Sequence, residues 1–500
     1  MYTTTIFPVT SHTTHVGPGS TFVAVQGYKE DGIRYIPQAI AQGAKKIVVQ
    51  SDAIIPAEIL ELIKTRTIIL ERVDNARKAL ALLSAQAAGY PAQKLNIIGI
   101  TGTKGKTSTC FILEHILRAA GKKTALLGTV KNSINGIEPL ILSSEAYRRG
   151  NLTTPQPDYL HQFFKLCVEQ EVEYVVMEVA AQALTLHRVE GIQFAGVIFT
   201  NFGQEHAEFY ATLDDYFNAK CIIFKQIASN SICLINEDDE KGRQILQQNP
   251  QFQEFSLNGD VPFEWIRQAH HERLLNSVRP EPVEGSQEFR NESAHCCVHF
   301  QDNFYQFFCP ALIGNFNNYN LLASVRMALE LGIEPAAIEH SLQTFTGVPG
   351  RLEMYKLANG ALGIIDYAHN PSSFQAVLST LRGMTEQLIV VFGCGGDRDA
   401  TKRPLMGALA AEYADLVVLT SDNPRSEDPA TIIEQIYSGI SKHAHEHVWH
   451  ELDREKAIQQ AYKHAKSGSI IALLGKGPDE YQQIGAVKYP FSEKAILKEL

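Results

Sequence analysis

The apolar positions of the chain fall into short β-branched runs separated by stretches with helical spacing. Thr21–Val25 predicts a strand, Tyr35–Gln42 a helix and Lys46–Gln50 a strand. A second section opens with the strand Asn96–Ile100 and a helix over Lys106–Ala120, continues with strands at Tyr174–Val179 and Gly196–Thr200, and then a helix over Asp214–Gln226. A third places strands at Leu362–Asp366, Gln387–Phe392, Asp415–Thr420 and Ser469–Leu474, with helices between. Such alternation predicts parallel sheets covered by helices, an α/β chain. At roughly 150 residues per domain, 500 residues also predict about three domains. The charged, proline-containing stretch Arg279–His295 is too poor in apolar residues to build a core and predicts a surface insertion.

Composition narrows the classes. Hydrophobic residues at 45% and charged residues at 20% exclude a disordered, collagenous or coiled-coil chain. The net charge of −10 argues against a nucleic-acid partner, while leaving room for a local basic pocket for a phosphorylated ligand. No stretch reaches the roughly 18 apolar residues of a membrane span, and the start shows no secretory pattern. Eight cysteines without a CxxC pair read as reduced thiols in a cytoplasmic enzyme, with no zinc site.

In open α/β sheets, ligands bind beyond the carboxyl ends of strands, where helix N-termini point inward. The unusual residues fall there. Asn96–Ile100 runs into TGTKGKT (101–107), Glu178 ends its strand, and Gly196–Thr200 runs into NFGQEH (201–206). The third section leads its strands into DYAHNP (366–371), GCGGDRD (393–399), SDNPR (421–425) and GKGPDE (475–480). Backbone N–H groups from Gly102 through Thr103, Lys104 and Gly105 to Lys106 can wrap a phosphate. Lys106 then neutralises the terminal phosphates and the Thr107 hydroxyl helps hold Mg²⁺. The common P-loop spacing puts glycine at position 100, where this chain has Ile100 between Gly99 and Gly102. Glu178 and His206 suit a divalent cation, although each read alone also suits a strand-end hydrogen bond. Lys220 falls on the apolar helix face of Tyr216, Phe217, Ile223 and Phe224. It either snorkels or is buried with a partner or a chemical change.

Together with MEVAAQAL (177–184), the Asn218-Ala219-Lys220 helix, GNFNNYN (314–320) and GVPGRLE (347–353), these motifs resemble the Mur ligase family over nearly the whole chain. The resemblance implies a small N-terminal UDP-binding domain (1–90), a central P-loop-type ATP-binding domain (91–345) and a C-terminal Rossmann-like amino-acid-binding domain (346–500). It implies a monomeric, ATP- and Mg²⁺-dependent ligase that activates a substrate carboxylate as an acyl phosphate. Lys106, Glu178, His206 and Lys220 would be catalytic, with Ser108, Asn317, Arg351 and Asp366 joining the P-loop residues on ATP and His369 in the same loop. Thr107, Glu178, His206 and a carbamylated Lys220 would hold the metal. Thr13, Thr153, Thr154 and Arg188 match positions for a UDP-sugar dipeptide. The SDNPR loop resembles that of members adding meso-diaminopimelate to UDP-N-acetylmuramoyl-L-alanyl-D-glutamate in peptidoglycan precursor synthesis. Arg425 would grip the distal carboxylate with two parallel hydrogen bonds. Arg398, Asp422, Asn423, Gly475 and Asp479 complete that set.

The chain departs from the family pattern at His12-Thr13-Thr14 (usually Asp-Ser-Arg), Ala180-Ala181 (Ser-Ser), Glu205 (Asp), Tyr210 (His) and Pro478-Asp479 (His-Glu). The phosphate-transfer residues are kept and the substrate contacts change. Alternatives are a lysine-adding or folylpolyglutamate-type ligase, against which stand Arg425 and the stretch 18–32, and a non-catalytic nucleotide-binding protein.

Overall fold

The computed structural model describes residues 5–27, 30–139, 152–203, 209–258, 293–301 and 303–500. They form two compact units. The first draws on 1–263, 296–306 and 319–341, and the second on 264–295, 307–318 and 342–500.

The first unit carries two sheets. Val9–Thr10, Thr21–Val23, Lys46–Gln50 and Ile69–Val73 form a parallel four-stranded sheet in that order. The larger sheet runs Gln253–Phe255, Ile227–Asn236, Phe194–Phe199, Asn96–Thr101, Tyr174–Glu178, Thr124–Leu127, Asn132–Ile134. Only the last pairing is antiparallel. Asn96–Thr101 is a near-continuous apolar run because both its faces are covered: Ile97, Ile98 and Ile100 have no exposed surface. Gly99 within it answers a packing demand, since a Cβ there would stand 2.9 Å from the Phe194 ring. The strand's two neighbours are those ending in Glu178 and in Phe199, so the loops beyond all three strands emerge side by side.

The second unit holds a six-stranded sheet: Glu353–Lys356, Leu362–Asp366, Ile470–Leu474, Leu388–Phe392, Leu416–Leu419, Val448–His450. Its first pairing is antiparallel and the rest parallel. Separate apolar cores cover its two faces, one around Phe374, Met406 and Ile436, the other around Ile458, Ala461 and Leu497. The four central strands are parallel neighbours, so loops 366–371, 475–480, 393–399 and 421–425 leave one edge together.

The helix predicted over Asp214–Gln226 divides into an α-helix, Leu213–Cys221, and a tighter turn, Ile222–Lys225. One expectation is corrected. Ser293–His295, read as the end of a surface insertion, open the strand Ser293–Phe300, with Ser293 and Ala294 buried. Alternating small apolar residues there supply a buried face, which the neighbouring charges obscured. The rest of that insertion, 279–292, lies outside the described residues. Among the described residues, no helix is long and apolar enough to cross a membrane.

Candidate active site

The loop between Asn96–Thr101 and the helix Lys106–Ala119 turns on Gly102 (φ 146°) and Gly105 (φ 83°). A Cβ at Gly102 would sit 2.0 Å from Thr200 Oγ1, and one at Gly105 2.3 Å from Asn320 Oδ1. Positive φ and crowding both demand glycine. The adjoining strand end fixes the loop from outside. Asn201 accepts from Thr103 N through its carbonyl and from Lys104 N through Oδ1, both at 2.8 Å. Thr200 Oγ1 donates to Lys104 O at 2.6 Å. Lys106 Nζ donates to Gly102 O (2.8 Å) and Thr103 O (2.9 Å), and Ser108 is buried in the first helical turn.

Thr107 Oγ1 donates to Glu178 Oε2 at 3.0 Å. Glu178 is 1% exposed and also accepts from Thr129 N (2.8 Å) and Thr129 Oγ1 (3.2 Å), and that hydroxyl lies 3.1 Å from Thr153 Oγ1. Thr129 follows the strand Thr124–Leu127 and was missed in the sequence, where a threonine after a short strand carries no signal. This all-oxygen donor set, one carboxylate and hydroxyls, fits a hard cation such as Mg²⁺. Among the described residues, no three His, Cys, Asp or Glu side chains cluster as ligands, and His206 and Glu205 lie outside them.

Lys220 is fully buried. Its Nζ donates to Gly102 O at 2.7 Å and lies 4.4 Å from the centre of the Tyr216 ring. Two lysine nitrogens thus converge on one carbonyl oxygen of the glycine-shaped loop. Tyr216 packs with Ala181 and Ala219, partly covered by Phe202 and Tyr210, so the Ala181 methyl has an apolar seat.

Thr13 opens a short 3-10 turn, Thr13–His15, capped by His12, whose ring accepts from Thr14 N. Thr10 Oγ1 (2.8 Å) and Ser11 N (3.3 Å) donate to Asp158 at the start of the helix Pro157–Glu169. Burial pushes the Asp158 carboxyl up against these hydrogen bonds. The Thr154 hydroxyl is spent internally, donating to Glu178 O (2.9 Å) and accepting from Ala180 N (3.0 Å). Arg188 Nη1 donates to Thr154 O at 3.1 Å.

In the second unit, Asn317 Nδ2 donates to Ile313 O at 2.7 Å. Asp366 accepts from Leu352 N (2.8 Å) and Ala368 N (2.7 Å), and the Arg351 guanidinium lies 5.0 Å from the Tyr367 ring centre. His369 Nδ1 is 2.7 Å from Tyr367 O. Gly475 (φ 102°) carries its strand end past Asp422 Oδ2, which a Cβ would approach to 3.2 Å. Burial pushes the Asp422 carboxyl up, but Lys476, Arg454 and Arg425 together hold it below its ordinary value. Burial raises Asp479, and burial together with Asp479 pushes the Tyr367 phenol up to about 12. Arg398 is exposed, and Arg425 Nη1 donates to Gly396 O at 2.6 Å. The buried Arg403 clamps Glu427 (2.7 and 2.9 Å), which accepts from Asp397 N, so the 393–399 loop is tied to the segment after Arg425.

Residues 6–88 match the family described as Mur ligase family, catalytic domain. Residues 100–328 match the Mur ligase middle domain, and 350–477 the Mur ligase, glutamate ligase domain. The UDP-N-acetylmuramoyl-L-alanyl-D-glutamate--2,6-diaminopimelate ligase of Clostridium botulinum is 38% identical, with 97% of this chain and 93% of that protein covered. Its counterpart in Aquifex aeolicus is 37% identical, with 98% and 93% covered. A solved structure of a ligase of that name superposes with a TM-score of 0.62 at 25% identity, covering 99% of this chain and 94% of the other. With similarity running through all three matched segments, the chain belongs to the Mur ligase family.

Proposed function

We propose that the chain is an ATP-dependent amide ligase joining meso-diaminopimelate to UDP-N-acetylmuramoyl-L-alanyl-D-glutamate, releasing ADP and phosphate, in the cytoplasmic synthesis of peptidoglycan precursors. The observation that carries this reading is the convergence of Lys106 and Lys220 on Gly102 O within a glycine-shaped loop that also supplies Thr107 to Glu178. In this reading residues 1–90 bind the uridine diphosphate, 91–345 the ATP and 346–500 the amino acid.

The first step brings a carboxylate onto a triphosphate, anion against anion, so fixed positive charge must act where negative charge grows. With the Thr103 and Lys104 N–H groups spent on Asn201, those of Gly105 and Lys106 would hold the phosphates. Lys106 would swing from its two carbonyls to the terminal phosphate, and Asn317, Arg351 and Asp366 would contact the nucleotide. A carboxylate oxygen of the dipeptide bonds to the γ-phosphorus as the bond to ADP breaks, giving an acyl phosphate. The amine of meso-diaminopimelate adds to the acyl carbon, its nitrogen loses a proton, and phosphate leaves. Thr107 and Glu178, with His206 and a carbamylated Lys220, would hold Mg²⁺, which when bound screens phosphate charge. Carbamylation turns the buried Lys220 ammonium into an anion and ends its repulsion with Lys106. Thr13, Thr153 and Arg188 hold the UDP-dipeptide, and Thr154 braces the strand end that carries Glu178. Arg425, Arg398 and Asn423 receive the distal carboxylate of the amino acid, and Asp422 and Asp479 with the Gly475 turn face its ammonium end.

Purified chain with the UDP-dipeptide and Mg·ATP is expected to release phosphate only when an amino acid is supplied, faster with meso-diaminopimelate than with lysine. Phosphate release independent of any amino acid, or a preference for lysine, would sink the reading.

A further inference from the structure

Lys476 sits in the GKGPDE loop with its side chain wholly buried. An ammonium has three N–H groups. Three acceptors surround Nζ: Tyr481 O at 2.9 Å, Asp422 Oδ1 at 3.1 Å and Asn423 Oδ1 at 3.3 Å. Nζ hydrogen-bonds Tyr481 O and Asn423 Oδ1 and pairs ionically with the Asp422 carboxylate, so the cation is compensated inside the protein and acts on a ligand only through its neighbours.

Asn423 Oδ1 also accepts from Gln483 N at 2.8 Å. An ammonium and a backbone N–H both demand an acceptor, so the network fixes which end of the Asn423 amide faces inward. The other end is the NH₂ group, which among the described residues makes no hydrogen bond. Two positions on, Arg425 holds a left-handed backbone (φ 50°), its N donating to Gln483 O at 3.1 Å and its carbonyl accepting from Gly485 N at 2.7 Å. Gln483 thus ties both residues to one strand. The guanidinium spends one contact on Gly396 O, leaving further N–H groups of its fork.

We propose that Lys476 is a specificity-determining positioning residue: by occupying Asn423 Oδ1 it leaves Asn423 offering only N–H donors beside Arg425, so the loop selects an amino acid by its carboxylate. The inference rests on the ligase reading above and adds the residue that sets its selectivity. An unlocked Asn423 can turn its oxygen outward and repel a carboxylate. A locked one cannot. Buried donors left unpaired by a ligand lacking the carboxylate then penalise lysine.

The test compares the wild-type chain, Lys476→Met, Lys476→Gln and Asn423→Asp for KM of meso-diaminopimelate, KM of ATP and the kcat/KM ratio of meso-diaminopimelate to lysine. Lys476→Met is expected to raise KM for meso-diaminopimelate about tenfold or more while KM for ATP stays within about twofold. Lys476→Gln keeps an N–H donor and recovers part of the loss. Asn423→Asp leaves Lys476 in place but puts an oxygen where the NH₂ stood, so the ratio falls about tenfold or more in a folded protein. If Lys476→Met does not fold, Asn423→Asp decides alone. A wild-type ratio in Asn423→Asp, an unchanged KM for meso-diaminopimelate in Lys476→Met, or an equal loss of ATP binding overturns the lock. A wild-type chain that does not favour meso-diaminopimelate overturns the ligase reading instead.

Discussion

Lys220 shows how much chemistry one side chain can concentrate. A bare ammonium at 1% exposure is costly, and here it shares its carbonyl acceptor with a second lysine. The Tyr216 ring offsets part of that cost through its negative face. Carbamylation removes the conflict outright, because the added carboxylate reverses the sign of the charge. Replacing Lys220 by Ala is therefore expected to lower turnover by about two orders of magnitude or more. Acetate or another short carboxylate should restore part of it by occupying the vacated volume. Wild-type turnover in the variant, or a loss that no carboxylate moderates, would remove the metal-ligand role.

At the scale of elements, the helix Pro157–Glu169 carries an acid-sensitive residue. His161 is 1% exposed, neither ring nitrogen has a hydrogen-bond partner among the described residues, and its ring meets Phe164 edge-on at 5.9 Å. Burial lowers its pKa to about 4 from 6.5. The unfolded chain therefore takes up this proton first as pH falls. The stability His161 lends is whole above pH 6.5 and drains away as pH drops towards 4, with about 2 kcal/mol gone at pH 5. His161→Phe, measured by urea unfolding at pH 8 and pH 5, is expected to lose less stability across that interval than the parent. Equal acid losses in both proteins would show that the histidine is not responsible. The same scale shows which elements could be read from the chain. Strands buried on both faces, such as Leu362–Asp366, announce themselves as unbroken apolar runs and were placed correctly. Ile227–Asn236 was not foreseen because its first half is polar and only its last four residues are buried. Thr124–Leu127 is built largely of residues that favour helix, and becomes a strand because it pairs with Tyr174–Met177.

Across the whole molecule, the residue types that chemistry demands at strand ends were visible in the sequence, while the groups holding them were not. Glu178 could be singled out as a carboxylate ending a strand, but Thr129, which donates to it twice, looks like any threonine. Lys476 lay in a loop already marked, yet a lysine between glycines reads as solvated until Asp422, Asn423 and Tyr481 close around it. The sets proposed for the UDP-dipeptide and for the amino acid nevertheless fall in different units. Thr13, Thr153, Thr154 and Arg188 belong to the first, and Arg398, Asp422, Asn423, Arg425, Gly475 and Asp479 to the second. Each unit has its own apolar cores, so a ligand that orders one set of loops should slow local opening mainly there. Amide hydrogen exchange offers the measurement. The UDP-dipeptide alone is expected to protect residues 10–16 and 152–155. With the dipeptide and a non-hydrolysable ATP analogue already bound, meso-diaminopimelate should add protection at 393–399, 421–425 and 475–480. Lysine at the same concentration should add less, because it lacks the carboxylate proposed for Arg425 and Asn423. Protection of 421–425 by the dipeptide alone, as strong as that brought by meso-diaminopimelate, would contradict the division of substrates between the two units.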